Sequence, residues 1–133
     1  MANPSKQKGT RAETRVARYL EDHGFVARRL ALAGSSDPGD IEAYAPDSMD
    51  KIIIEVKAGV QTKAPSRSQI EEWCRQTVVE TENSNAKVGI LIVVRYKRDL
   101  KDADVYVPYK HSRVHWYLDD WVESLIASLP LVK

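Results

Sequence analysis

A short apolar strand with two charged side chains constrains this chain more than any other feature. Residues 52–57 read IIIEVK, and alternate side chains of a strand share a face, so Glu55 and Lys57 point to the same side. A strand this apolar is typical of a sheet that is buried on both faces, which would place both charges in the interior. An internal ion pair is one explanation, although such a pair is usually no more stabilising than well-packed apolar residues. The alternative is a metal site, with Glu55 and Asp40 as oxygen ligands and Lys57 beside the reacting group.

Length and composition indicate one soluble globular domain. The chain has 133 residues, 43% of them hydrophobic and 29% charged, which is enough for a single core. Its one cysteine, Cys74, excludes an internal disulfide and a cysteine-based zinc site, and we expect it to be buried. No apolar run is long enough to cross a membrane, and the N-terminus lacks the apolar core of a signal peptide.

Positive charge is concentrated in two zones, although the net charge is only +1. Residues 1–29 hold seven Lys and Arg against three acidic residues, and residues 95–101 hold four against one. Such zones on a near-neutral protein are typical of a surface that binds a polyanion. Charges that are merely solvated remain an equally open interpretation.

Apolar spacing and turn signals predict the order helix, three strands, helix, two strands, helix. The predicted elements are a helix over 10–24, strands over 25–32, 40–44 and 51–58, a helix from Ser66 or Ser68 to Glu82, strands over 87–96 and 105–108, and a helix from Leu118. Short turns make the first three strands antiparallel, whereas the helix before Lys87 is a crossover that makes the next strand parallel to its neighbour. The predicted fold is therefore a three-layer α/β sandwich with a mixed central sheet between helices. Residues 1–9 are expected to be a flexible basic arm and 10–133 a single domain.

Two further carboxylates flank the predicted first strand. The segment from Thr10 to Glu13 matches a capping box, yet Glu13 also lies on the inward stripe of its helix, so it either caps the helix or points into the site. An Asp-Pro-Gly turn delivers Asp40 at the start of the next strand. Glu42 shares the side of Asp40 and is a possible decoy.

Residues of these types suit the hydrolysis of a phosphodiester. Two carboxylates and a backbone carbonyl can hold Mg²⁺, which neutralises the phosphate and lowers the pKa of a bound water. Oxygen ligands without His or Cys favour Mg²⁺ or Mn²⁺ over Zn²⁺, and the three histidines are scattered without ligand spacing. Lys57 is expected to stabilise negative charge in the transition state. Basic residues would hold DNA phosphates, the candidates being Lys8, Arg11, Arg15, Lys63 and Arg67.

The acid-x-Lys triplet alone is a weak signal, because Asp99-Leu-Lys101 repeats it in a polar loop. With its surroundings, however, the chain resembles the PD-(D/E)xK nuclease superfamily, and most of all the archaeal-type Holliday junction resolvases and their phage relatives. The resemblance covers residues 8–96 and rests on the helix that carries Glu13, on Gly34-Ser-Ser-Asp-Pro-Gly-Asp40 and on Ile54-Glu55-Val56-Lys57.

The resemblance implies a restriction-endonuclease-like fold and assigns roles to particular residues. Asp40, Glu55 and the Val56 carbonyl would be metal ligands, Glu13 a further metal-site carboxylate, and Lys57 the catalytic lysine. It also implies that Ser35 or Ser36 lies near the scissile phosphate and that Gln69 contacts DNA.

The same resemblance implies a homodimer that cuts branched DNA with Mg²⁺, for which Mn²⁺ would substitute. It implies no small-molecule cofactor and no membrane, and it places the protein in the cytoplasm of a bacterial, archaeal or phage-infected cell. Two alternatives stay open: another nuclease of the superfamily, of the restriction, repair or single-strand-end type, and a DNA-binding module with the same fold and no turnover.

Overall fold

A six-stranded mixed sheet lies between helices in the computed structural model, which describes residues 4–30, 39–108 and 113–127. The helices are α1 (Pro4–Asp22), α2 (Arg67–Asn83) and α3 (Leu118–Ala127). The strands are β1 (Val26–Arg29), β2 (Ile41–Tyr44), β3 (Ile52–Lys57), β4 (Val88–Val93), β5 (Asp104–Pro108) and β6 (Arg113–Tyr117). They lie side by side in sequence order, and only the β3–β4 pair is parallel.

The mixed topology follows from the connections and confirms the predicted one. Turns join β1, β2 and β3, so these strands are antiparallel, whereas α2 carries the chain back across the sheet before β4. Ser66 caps α2, as its hydroxyl accepts a hydrogen bond from the Gln69 N–H at 3.1 Å.

Helices cover both faces of the sheet, which confirms the three-layer α/β architecture. On one face α1 and α3 pack over the larger core, and Tyr19 of α1 donates a hydrogen bond to Asp119 of α3. The innermost residues of that core are Val16, Leu20, Ile41, Ile54, Ile90, Ile92, Val105, Leu118 and Val122. On the other face α2 packs over Leu91 and Val93 through Trp73 and Cys74. Strand β3 is therefore buried on both sides, as its composition predicted.

Helix α1 begins at Pro4, so the predicted start at Thr10 is wrong. Residues 4–9, part of the segment that we expected to be a flexible arm, continue the helix. A proline suits the first turn of a helix, and the polar residues that follow it are compatible with helix, so the capping signal at Thr10 does not set the boundary. The other end agrees with prediction: Gly24 has φ +88°, and the Gly24 and Phe25 N–H groups donate to the Glu21 and Leu20 carbonyls.

Strand β6 is an element that the sequence did not predict. It pairs with β5 along its whole length and runs directly into α3 at Leu118. Because no turn residue separates the strand from the helix, the sequence has no signal for the boundary between the two elements. Strand β1 ends at Arg29, and residues 31 and 32 of its predicted range lie outside the described residues. Within the described ranges, no helix has the length and apolar character needed to span a bilayer.

Helix α2 approaches β4 so closely that Gly89 has no room for a side chain. A Cβ at this position would lie 1.7 Å from the Thr81 hydroxyl oxygen. We expect Gly89→Ala to lower the free energy of unfolding by about 1–3 kcal/mol in chemical denaturation, because the helix must shift. Adding Thr81→Ala should restore part of the loss. A double variant that is no more stable than Gly89→Ala alone would contradict the contact.

Candidate active site

Asp40 and Glu55 meet where β2 and β3 part. Asp40 immediately precedes β2, and its N–H donates a hydrogen bond to the Ile54 carbonyl at 3.0 Å. Its side-chain Oδ2 accepts a hydrogen bond from the Val56 N–H at 2.8 Å. Asp40 is thus bound to the backbone on both sides of Glu55, which fixes the two carboxylates next to each other.

Glu55 is buried on the α2 face of the sheet, with only 6% of its surface exposed. Its Oε1 lies 3.4 Å from the Lys57 ammonium. Its Oε2 is buried and has no hydrogen-bond partner among the described residues. The carboxyls of Glu80 and Asp40 lie beside Glu55, so either a bound cation or a proton shared with a neighbouring carboxyl would satisfy this oxygen.

The electrostatics of the pair oppose ionisation of both carboxyls. Burial, and then the charge of Glu55, raises the pKa of Asp40 to about 8; the Val56 N–H opposes the rise, and the charge of Glu13 adds to it. Burial, and then the neighbouring Glu80 carboxyl, raises the pKa of Glu55 to about 8, while Lys57 and Asp40 oppose the rise. Two such anions side by side are stable near neutral pH only with a further positive charge. A hard divalent cation fits this all-oxygen pair.

Lys57 is held at the edge of the pair. Its side chain is 20% exposed, and its ammonium lies 5.9 Å from the centre of the Trp73 ring of α2. The aromatic face and the Glu55 carboxylate therefore limit the directions in which the ammonium can point. This arrangement leaves the charge near the carboxylates and within reach of a ligand from solvent.

The Val56 carbonyl faces the same region. In a strand the N–H and C=O of one residue point toward the same neighbouring strand, and the Val56 N–H points to Asp40. Register pairing between β2 and β3 ends at Ile41 and Ile54, so this side of Val56 lies beyond the ladder. A third oxygen ligand from the backbone is therefore compatible with the local geometry.

Glu13 approaches the pair but is held by another residue. Its Oε2 accepts a hydrogen bond from the Arg29 Nε at 3.0 Å. No three or more His, Cys, Asp or Glu side chains in the described ranges are arranged to hold one metal ion. Asp40 and Glu55 are thus the two carboxylates that meet at the end of the β2–β3 pairing, and Glu13 acts on Asp40 through its charge.

Glu42, the other acidic candidate on the side of Asp40, is paired with basic residues outside the site. It accepts a hydrogen bond from Arg28 at 2.7 Å and lies 3.5 Å from the Lys51 ammonium. His23 and His115 are exposed, and His111 lies outside the described residues.

The predicted DNA-binding residues are dispersed. The exposed ones are Arg11, Arg15, Lys63, Arg67 and Gln69, and Arg67 forms an ion pair with Glu71 at 3.2 Å. Ser35 and Ser36 lie outside the described residues, as does the side chain of Lys8.

Glu80 of α2 is a site residue that sequence reasoning missed. It is 4% exposed, and its carboxyl is the second cause of the raised pKa of Glu55. A Cβ on Gly39 would lie 3.6 Å from its Oε2, which places Glu80 beside the segment that leads to Asp40. Helical spacing gave a signal, since Trp73, Thr77 and Glu80 continue one inward stripe.

Comparison with solved structures supports the fold. The chain is similar to the structure of Hjc from Archaeoglobus fulgidus, a Holliday junction resolvase from an archaeal hyperthermophile. The TM-score is 0.52 at 22% sequence identity, over 88% of this chain and 93% of that chain. No curated protein sequence matches this chain.

Comparison with protein families extends the resemblance beyond the three motifs. The model of the archaeal Holliday junction resolvase (Hjc) family matches residues 4–120. The match includes β5 and β6, which lie beyond the residues 8–96 that the resemblance covers. This chain therefore belongs to the archaeal Holliday junction resolvase family.

Proposed function

We propose that this chain is a metal-dependent endonuclease that hydrolyses phosphodiesters at four-way DNA junctions. The observation that carries the proposal is the pair formed by the partly buried Asp40 and the buried Glu55 beside Lys57, in a member of the resolvase family. A module that only binds DNA has no need for two adjacent carboxylates with raised pKa values.

Mg²⁺ is the proposed cofactor, and Mn²⁺ is expected to substitute for it. Asp40, Glu55 and the Val56 carbonyl would hold the ion, and the partnerless Oε2 of Glu55 supports this assignment. When bound, the ion would offset the charge of the scissile phosphate and lower the pKa of a nearby water.

The residues of the chain bind and orient the phosphate group. The Val56 N–H holds the Asp40 carboxylate in position, so no side-chain entropy is lost at the moment of reaction. Lys57, held by Glu55 and Trp73, would stabilise the negative charge that develops on the phosphate oxygens. Glu13 would be a further acidic residue of the site, oriented by Arg29.

DNA would be held mainly through its phosphates. Arg11 and Arg15 lie on the exposed side of α1, on either side of Glu13 in sequence, and Lys63 and Arg67 precede or begin α2. Contacts of this kind give an affinity that falls with salt and carries little sequence information.

We further propose that the protein acts as a homodimer, because symmetric cutting of two strands needs two sites. Its proposed location is the cytoplasm.

A panel of labelled DNAs tests the function directly. Four-way junction, duplex, single strand and flap are incubated with the protein and Mg²⁺. Paired cuts in the junction alone support the proposal. Cuts in duplex or single strands would assign the site to another nuclease class, and junction binding without cutting in Mg²⁺ or Mn²⁺ would indicate a binding module.

Removing one charge from the site should abolish cleavage without unfolding the protein. We expect Asp40→Asn, Glu55→Gln and Lys57→Gln each to lower the rate of junction cleavage at least about 100-fold. Glu42→Gln is the matched control, because Glu42 lies on β2, two residues after Asp40, and forms ion pairs with Arg28 and Lys51. The cleavage rate of this variant should differ from that of the wild type by about twofold or less. Full activity of Asp40→Asn would show that the site is elsewhere.

The raised pKa values also predict how stability depends on pH in a chelator. Asp40 binds its proton more tightly in the folded chain than in the unfolded chain. This difference stabilises the folded chain fully below about pH 4, and the stabilisation is lost as the pH rises through about 8. The free energy of unfolding of the wild type should therefore fall between pH 5 and 9, and Asp40→Asn should flatten the fall and gain about 1–2 kcal/mol at pH 9.

Glu42 is the control for this experiment, because its pKa is shifted in the opposite direction to that of Asp40. Ion pairing with Arg28 lowers the pKa of Glu42 in spite of burial, so Glu42→Gln should not flatten the fall. Parallel curves for the wild type and Asp40→Asn would contradict the electrostatic description of the site.

A further inference from the structure

A pocket opens beside the candidate site, on the same face of the sheet. It has a volume of about 380 Å³ and lies between the start of α2, the end of β4 and β5. This volume is at the lower end of the range for small-ligand sites. The residues that line it include Lys63, Ile70, Val93, Arg98, Asp104 and Tyr106.

Apolar side chains and an aromatic ring form part of the floor of this pocket. Val93 belongs to the smaller core under α2, and Ile70 and Tyr106 pack against that core. The Tyr106 ring is stacked against His115 at 4.9 Å between centres, with 30° between their planes. A ring held in this way offers a fixed surface for a flat aromatic ligand.

The rim of the pocket is positively charged. Arg95 donates two hydrogen bonds to Asp104, at 2.9 and 2.8 Å, and His115 lies 2.7 Å from the same carboxylate. Asp104, the only acidic residue among the described residues of the lining, is thus paired. Lys63 and Arg98 are exposed and form no salt bridge with any described residue, which leaves two cationic groups for an anion.

Sheet register places this pocket next to Lys57. Lys57 is opposite Val93 on β4, and Val93 is opposite Asp104 on β5. Adjacent strands are about 4.8 Å apart, so the pocket floor begins about 5 Å from the backbone of the lysine. A nucleotide in this pocket would therefore lie close to a phosphate held at Lys57.

We propose that this pocket binds one unpaired nucleotide of the cleaved DNA strand, with its base against Tyr106 and its phosphate against Lys63 and Arg98. An apolar floor and a cationic rim match the two halves of a nucleotide, whereas the edges of a paired base would not be exposed to it. The inference rests on the proposed endonuclease function and deepens it: the protein would capture a nucleotide that has left the stack at the branch point.

The test compares junctions with one unpaired thymidine at the branch point, in which that nucleotide is either intact or abasic. Binding is measured by fluorescence anisotropy in a chelator, so that no strand is cut. We expect the wild type to bind the intact junction about tenfold more tightly than the abasic one. Tyr106→Leu should bind both equally, and Tyr106→Phe should keep the preference because it keeps the ring.

The rim has a matched control of its own. Arg98→Gln should weaken binding of both junctions and lower the slope of log affinity against log salt by about 1. Lys101→Gln removes the same charge from an exposed residue outside the lining, and it should change that slope less than Arg98→Gln does.

A second measurement needs no variant. With 5-iodouracil at the unpaired position, light should cross-link the wild type at Tyr106, as mapped by mass spectrometry of the peptides. A wild type that cuts junctions but shows neither base preference nor this cross-link would overturn the pocket and leave the endonuclease function standing. A wild type that neither binds nor cuts any junction would overturn both.

Discussion

The hydrogen bond from the Val56 N–H to the Asp40 carboxylate is the contact on which the site depends. It replaces a bond of the sheet ladder just where β2 and β3 stop pairing, and it binds the side chain of one strand to the backbone of the next. Asp40 is thereby fixed beside Glu55 although both are acidic and Glu55 is buried. The hydrogen bond lowers the pKa of Asp40, but burial and the charge of Glu55 outweigh it. The repulsion that remains is the physical reason to expect a cation.

The rest of the fold supports that arrangement. The parallel pairing of β3 with β4 requires a crossover helix, and α2 brings Trp73 over Lys57 and Glu80 against Glu55. On the opposite face, α1 and α3 bury the other side of β3. Polar groups are therefore confined to one face and one end of an otherwise apolar strand, where a DNA strand can reach them.

Much of this architecture could be predicted from local signals. The period-2 pattern and composition of β3 indicated a strand buried on both sides, and the turn chemistry before Asp40 placed that carboxylate at a strand start. Glu80 was missed because an acidic residue near the end of a helix is usually solvated, although its spacing from Trp73 and Thr77 places it on the inward stripe of α2. Strand β6 was missed because it enters α3 without a turn. The capping signal at Thr10 predicts a helix start there, but α1 begins at Pro4 because the residues before Thr10 are also compatible with a helix.

The direct test of the central claim is the binding of Mn²⁺ to the wild type and to Asp40→Asn, measured by titration calorimetry without DNA. Asp40→Asn keeps an oxygen that can accept from Val56 but removes the charge that opposes Glu55. If the buried carboxylate pair is a cation site, the wild type binds Mn²⁺ and Asp40→Asn binds it at least about tenfold more weakly. Equal affinity in the two proteins would show that the pair does not hold the metal.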